Sequence, residues 1–178
     1  MSKEISDIQE ITGRFCDLAS NNSTDILEYL QGMDLTVSEE DVNNAKIFVI
    51  ITNMNGYMPD EDPFYTNERE SAIEYVLENV RRTFESLDGD GEDENSKFMQ
   101  CAKEFQEEVD PSISDPMDAL VALFGKQIRE SEHDSFSVNF GGYNHECVHI
   151  PFSQALREAE INPEDIVSTT STTATMST

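Results

Sequence analysis

The sequence predicts an α+β fold: a small three-stranded sheet, made of one buried strand and a C-terminal β-hairpin, covered by about six helices. Three observations predict it. Lys46 to Thr52 is β-branched and apolar without alternation, the pattern of a strand buried on both faces. Phe136, Val138 and Phe140 alternate, Gly141-Gly142 offers a turn able to take positive φ, and Val148, Ile150 and Phe152 alternate again. Elsewhere the apolar residues recur at helical spacing. Leu, Ile, Val and Phe number 9, 13, 10 and 10 among 178 residues. That is about 24%, above the roughly 20% below which a highly charged chain stays disordered, so a lean core is expected.

Taken in order, Ile5, Ile8, Ile11, Phe15 and Leu18 place an amphipathic helix over residues 4–19 despite Gly13. Ser23 can cap a short second helix with Ile26, Leu27 and Leu30, stopped near Gly32. Ser38 followed by Glu39-Glu40-Asp41 starts a third, its anions near the positive end of the helix dipole. The strand over 46–52 is broken by Asn53-Met54-Asn55-Gly56, and Pro59 and Pro63 keep the next stretch extended. Asn67 with Glu70 resembles a capping box, and Ala72, Ile73, Val76, Leu77, Val80, Phe84 and Leu87 follow at helical spacing.

Asp88-Gly89-Asp90-Gly91-Glu92-Asp93-Glu94 reads as a flexible acidic loop. Phe98, Cys101, Ala102, Phe105 and Val109 outline a helix ending at Asp110-Pro111. Asp115-Pro116 caps and opens the next, whose buried stripe is Met117, Leu120, Val121, Phe124 and Ile128. After the hairpin a short helix runs from about Ser153 to Ala159, and an Asn162-Pro163 turn closes the domain. The expected organisation is one acidic domain over 1–167, with 1–45 as a helical subregion, and a disordered Ser/Thr-rich tail over 168–178.

Charge is the dominant feature: 11 Lys+Arg against 37 Asp+Glu, net −26. The surplus is spread along the chain. Residues 1–45 hold ten acids and two bases, 46–87 eight and four, 88–134 fourteen and four, and 135–178 five and one. Such a field repels DNA, RNA and anionic membranes and attracts basic surfaces, including the grooves other proteins use to hold DNA. Solubility or adaptation to salt would give the same spread. The three short N-terminal helices have the outline of a helix-turn-helix reader, but two bases among 45 residues make phosphate contact unfavourable.

Three scattered cysteines (Cys16, Cys101, Cys147) argue against a disulfide framework. The opening Met1-Ser2-Lys3-Glu4-Ile5-Ser6-Asp7 has no signal-peptide core, and the best apolar run, Ile47 to Ile51, is far below the roughly 20 residues a membrane span needs. A cytoplasmic protein is expected.

His145-Glu146-Cys147-Val148-His149 matches the H-E-x-x-H spacing of zinc hydrolases, in which a helix puts both imidazoles on one face. Here Gly141-Gly142 precedes, Pro151 follows, and the flanks alternate like a strand. In a strand His145, Cys147 and His149 share a face and Glu146 points the other way. That leaves a His-Cys-His row as a candidate zinc site and removes the metalloprotease geometry. A calcium loop over 88–99 fails, since Asp93 stands where glycine is needed and Met99 where a bidentate glutamate is needed. Phosphate-binding glycine loops, dinucleotide fingerprints and serine elbows are absent from the sequence.

The passage Ile47-Phe48-Val49-Ile50, Gly56-Tyr57-Met58-Pro59-Asp60-Glu61-Asp62-Pro63, Ala72-Ile73-Glu74-Tyr75 resembles the opening of small acidic proteins of phage and mobile elements. Those share a strand, a Gly-Tyr/Cys-x-Pro-x-x-x-Pro loop and a helix. Size and charge resemble phage DNA-mimic inhibitors. The resemblance implies a phage context in a host cytoplasm and supplies no catalytic residues.

The functional expectation is a non-enzymatic acidic protein without cofactor that binds and inhibits a host nucleic-acid-binding or defence protein by DNA mimicry. Its contact residues would be Asp60, Glu61 and Asp62 with the aromatics Tyr57, Phe64 and Tyr65, then Asp88, Asp90, Glu92, Asp93 and Glu94, then Glu104, Glu107 and Glu108. Those aromatics could instead cover the sheet edge. The alternatives are a metal-dependent hydrolase built on the His145–His149 segment, and an acidic structural or regulatory phage protein whose charge reflects salt.

Overall fold

A computed structural model describes residues 6–54, 62–87, 93 and 95–168. The fold is α+β, with seven α-helices and four strands among these residues, one strand more than the sequence predicts. The helices are α1 (Asp7–Ser20), α2 (Ile26–Gly32), α3 (Glu39–Asn44), α4 (Arg69–Ser86), α5 (Lys97–Ala102), α6 (Pro116–Glu130) and α7 (Phe152–Glu158). The strands are β1 (Lys46–Met54), β2 (Phe64–Thr66), β3 (Phe136–Phe140) and β4 (Tyr143–Pro151), ordered β2-β1-β4-β3 in one antiparallel sheet. The added strand is β2, three residues long on the edge beside β1. No helix among the described residues is long and apolar enough to cross a membrane.

Packing divides the chain into two compact units. The first comprises Met1–Val49, Phe64–Glu68 and His149–Thr178. Its α1 is opened by a capping box in which Ser6 and Gln9 satisfy each other's backbone N–H groups. Phe15, fully buried on α1, meets Phe152 of α7 and Tyr65 of β2 edge-on, with centroids 5.4 and 6.2 Å away. Asn67 stands two residues before the first residue of α4 and serves this unit: its amide donates to the Gln9 carbonyl and the Thr12 hydroxyl. Ser168, expected to begin the tail, is held instead. Its N–H donates to the Val37 carbonyl at 2.9 Å, and its hydroxyl accepts from Val37 N–H at 2.9 Å. The rest of that segment, 169–178, lies outside the described residues.

The second unit comprises Ile50–Pro63 and Arg69–Val148. Here α4 packs on α6 and on β3. Ala72, Ile73, Val76, Val80 and Phe84 form the buried stripe of α4. Phe84, Phe98, Phe105, Phe124 and Phe140 join in an aromatic cluster, with centroid separations of 4.5 Å for Phe84–Phe140 and 5.3 Å for Phe105–Phe124. Each fully buried phenyl ring contributes about 1.5–3 kcal/mol by removal from water. Asp115 caps α6 by accepting from Met117 N–H at 2.9 Å, with Pro116 opening the helix. Arg69 closes the other end, donating to the carbonyls of Ile128, Ser131 and His133. α5 ends at Ala102 and runs into a 3-10 turn, Lys103–Phe105, so the helix expected to reach Val109 is about half as long.

The hairpin pairs β3 with β4 in the register Phe136–Cys147, Val138–His145 and Phe140–Tyr143. Gly141 and Gly142 have φ of 62° and 85°, as a two-residue hairpin turn that follows the strand twist requires.

Candidate functional site

The register of β4 sends His145 and Cys147 inward and leaves Glu146 and His149 exposed. His145 is 1% exposed, yet both ring nitrogens have partners. Nδ1 lies 3.1 Å from the Thr52 hydroxyl at the end of β1, and Nε2 lies 3.2 Å from the Thr83 hydroxyl on α4. Directions follow from two further bonds. The Thr83 hydroxyl donates to the Asn79 carbonyl at 2.9 Å, so it accepts from Nε2–H. The Asn79 side-chain amide donates to the Thr52 hydroxyl at 3.4 Å, which leaves that hydroxyl's proton for Nδ1. The chain closes on Asn79 and both ring nitrogens are used, which assigns a neutral imidazole protonated on Nε2.

Burial pushes the His145 pKa down to about 4. The pair Thr52–His145, oriented by Thr83, has the outline of a nucleophile, a base and an orienting group. Its chemistry is wrong for that task. A base titrating at about 4 accepts a proton poorly near neutrality, and Thr83 carries no charge to stabilise an imidazolium. The small cleft beside it, about 170 Å³, is lined by Thr52, Asn53, Asn79, Arg82 and Tyr143 with the ring. This network holds β1, α4 and β4 together within the second unit.

The row His145, Cys147, His149 expected as a zinc site forms no ligand set. His145 has no lone pair left. Cys147 points inward while His149 is exposed, and burial pushes the Cys147 thiol up to about 12. Among the described residues, no group of three or more His, Cys, Asp and Glu side chains could hold a metal ion. Cys16 is likewise buried, its thiol pushed up to about 12 by burial and by Asp17.

The other candidate is the acidic surface. Of the expected contact residues, Asp62, Asp93, Glu104, Glu107 and Glu108 are exposed, while Phe64 and Tyr65 are half-buried in β2. Tyr65 belongs to the first unit's packing: its ring meets Phe15, and its N–H donates to the Ser20 hydroxyl at 2.8 Å. Tyr57, Asp60, Glu61, Asp88, Asp90, Glu92 and Glu94 lie outside the described residues.

No described Asp or Glu is buried. Several described arginines, by contrast, have partners within the chain. Arg81 meets Asp118 at 2.7 Å, Arg129 meets Glu70 at 2.6 Å, Arg82 meets Glu78 at 3.7 Å, and Arg69 caps α6. The Arg129 guanidinium holds the Glu70 carboxyl below its usual range, and hydrogen bonds from Ser112 do the same for Asp110. The segment 103–118 carries Glu104, Glu107, Glu108, Asp110, Asp115 and Asp118 against Lys103 alone. Sequence reasoning took Glu104, Glu107 and Glu108 from this segment. It missed the His145 network, whose signal was Asn79 and Thr83, two polar residues four apart beside the apolar stripe of α4. No protein-family model matches the chain, and no curated protein or solved structure is detectably similar to it.

Proposed function

We propose that the protein is a non-enzymatic acidic interaction protein of phage origin, acting in a host cytoplasm. It occupies the basic nucleic-acid-binding surface of a host protein and inhibits it by mimicking DNA. One observation carries the reading: every described carboxylate is at or near the surface of a folded body of net charge −26, while Arg69, Arg81, Arg82 and Arg129 are turned to partners within the chain. A cationic groove therefore meets fixed anions that need no folding on contact, which favours fast, salt-sensitive association. The likeness of the strand–loop–helix passage to phage proteins supports the context. The closed hydrogen-bond ring around His145 supports a structural role for that histidine.

The test is competition. The immobilised protein captures host proteins from lysate at about 50 mM salt, and duplex DNA is then added. Displacement by DNA, with binding at least about tenfold weaker at 200 mM salt, is the expected result. Capture that withstands both excess DNA and salt would overturn mimicry.

A further inference from the structure

Independently of that reading, we propose that the cleft beside His145 binds a small monocarboxylate with an apolar body. The cleft lies within the second unit, where the end of β1, the last turns of α4 and the start of β4 meet, and its volume is about 170 Å³. Pockets for drug-sized ligands run to roughly 300–1,000 Å³, so a nucleotide is too large and a molecule of benzoate size fits.

Hydrogen bonds already made divide the cleft into a floor and a mouth. At the floor the Thr83 proton goes to the Asn79 carbonyl, the Thr52 proton to His145 Nδ1, and Ser86 donates to the Thr83 carbonyl at 2.7 Å. These hydroxyls have no proton left for an anion. The mouth differs. Arg82 is the one charged side chain among the described lining residues, which include no carboxylate although the chain holds 37 Asp and Glu. Its ion pair to Glu78 runs through Nε at 3.7 Å, too long for a hydrogen bond, and its side chain is 67% exposed. The guanidinium fork is thus open to a planar carboxylate, which it can hold bidentately. The Asn53 amide and the Tyr143 hydroxyl add donors, while Met54 and the Tyr143 ring supply an apolar wall. Phosphate would satisfy Arg82 and leave that wall in water; an apolar body beside the carboxylate covers it. The net charge of −26 opposes any anion, so a dissociation constant of about a millimolar is expected at about 150 mM salt, where a Debye length of about 8 Å limits the repulsion.

Benzoate, acetate and benzamide titrated into the full chain at that salt test this, read by amide shifts and thermal melting. Benzoate is expected to move the amides of Asn53, Arg82 and Tyr143 and, at about 20 mM, to raise the melting temperature by a few degrees. Acetate lacks the ring and benzamide lacks the charge, and each should bind at least about fivefold more weakly. Arg82→Gln should weaken benzoate at least about fivefold. Arg81→Gln, which changes the net charge equally but removes a side chain paired with Asp118 outside the cleft, should leave it unchanged. Where Arg82→Gln fails to fold by circular dichroism, the shift map on the unaltered protein decides. Equal weakening by both variants, benzamide binding as tightly as benzoate, shifts confined to other surfaces, or no shift at about 20 mM overturns the site. Acetate binding as tightly as benzoate overturns the apolar-bodied ligand. Capture of host proteins from lysate is untouched by any of these results, so the two readings fail separately.

Discussion

Acidification should remove stability through His145 in a way a single substitution can isolate. The imidazole, at 6.5 in its ordinary state and pushed down to about 4 in the folded protein, binds more protons in the unfolded chain at every pH between these values. Its contribution is therefore complete above about pH 7.5, is lost as pH falls through 6.5, and stops changing below about 4. Integrated between about pH 7.5 and pH 5, the loss is about 2 kcal/mol. Many carboxylates titrate nearby, so the unaltered protein alone cannot report it. His145→Gln keeps a donor and an acceptor and does not titrate. Urea unfolding of both proteins at the two pH values gives the measurement: the stability advantage of the unaltered protein should shrink by about 2 kcal/mol at the lower pH. The cost of the substitution itself cancels in that comparison. An advantage that stays flat with pH, or ring nitrogen resonances titrating near 6.5, would refute the closed ring of hydrogen bonds. The same spectra should show the proton on Nε2 at neutral pH.

Other consequences can be checked on the same material. Gly142→Ala should cost about 1–2 kcal/mol for its positive φ, since open space surrounds its Cβ position. Gly141→Ala carries the same positive-φ cost, and the Leu87 side chain, whose Cδ1 would stand 2.6 Å from the new Cβ, must turn aside; thermal melts of the two variants check both. Asp115→Ala removes the cap of α6 and should destabilise by about 1 kcal/mol in urea titration. Arg69→Met leaves three carbonyls without the one guanidinium nitrogen that serves them and should cost about 1–3 kcal/mol in urea titration. Iodoacetamide at about pH 8 should label half-buried Cys101 in the native protein, and Cys16 and Cys147 only in denaturant, as mass spectrometry will show.

Legibility in the sequence followed the range of the interactions. β1, α4, the Asp115-Pro116 start of α6 and the Gly141-Gly142 turn are each specified by neighbours a few residues apart, and each stands where the pattern puts it. β2 was illegible because three residues hold no periodicity. α5 was overdrawn because Phe98, Cys101, Phe105 and Val109 keep helical spacing through a segment whose intervening residues face water and whose backbone tightens at Lys103. Asn67 has the look of a cap, and its amide also ties α1 through the Gln9 carbonyl and the Thr12 hydroxyl, 58 and 55 residues away. The H-E-x-x-H spacing was legible as strand from its glycine and proline flanks. The use of His145 was not, since Thr52 lies 93 residues from it and Thr83 62.

The first unit is assembled from three stretches, and the second is written between them. During synthesis, residues 69–148 leave the ribosome as one block and can collapse around their own phenyl rings while the earlier helices still lack Phe152. The N-terminal segment must wait, exposing Phe15 and Val37, until α7 and the Ser168 clasp emerge. A stall shortly before residue 150 would therefore leave a nascent chain with a finished half and a sticky one, a natural customer for a chaperone.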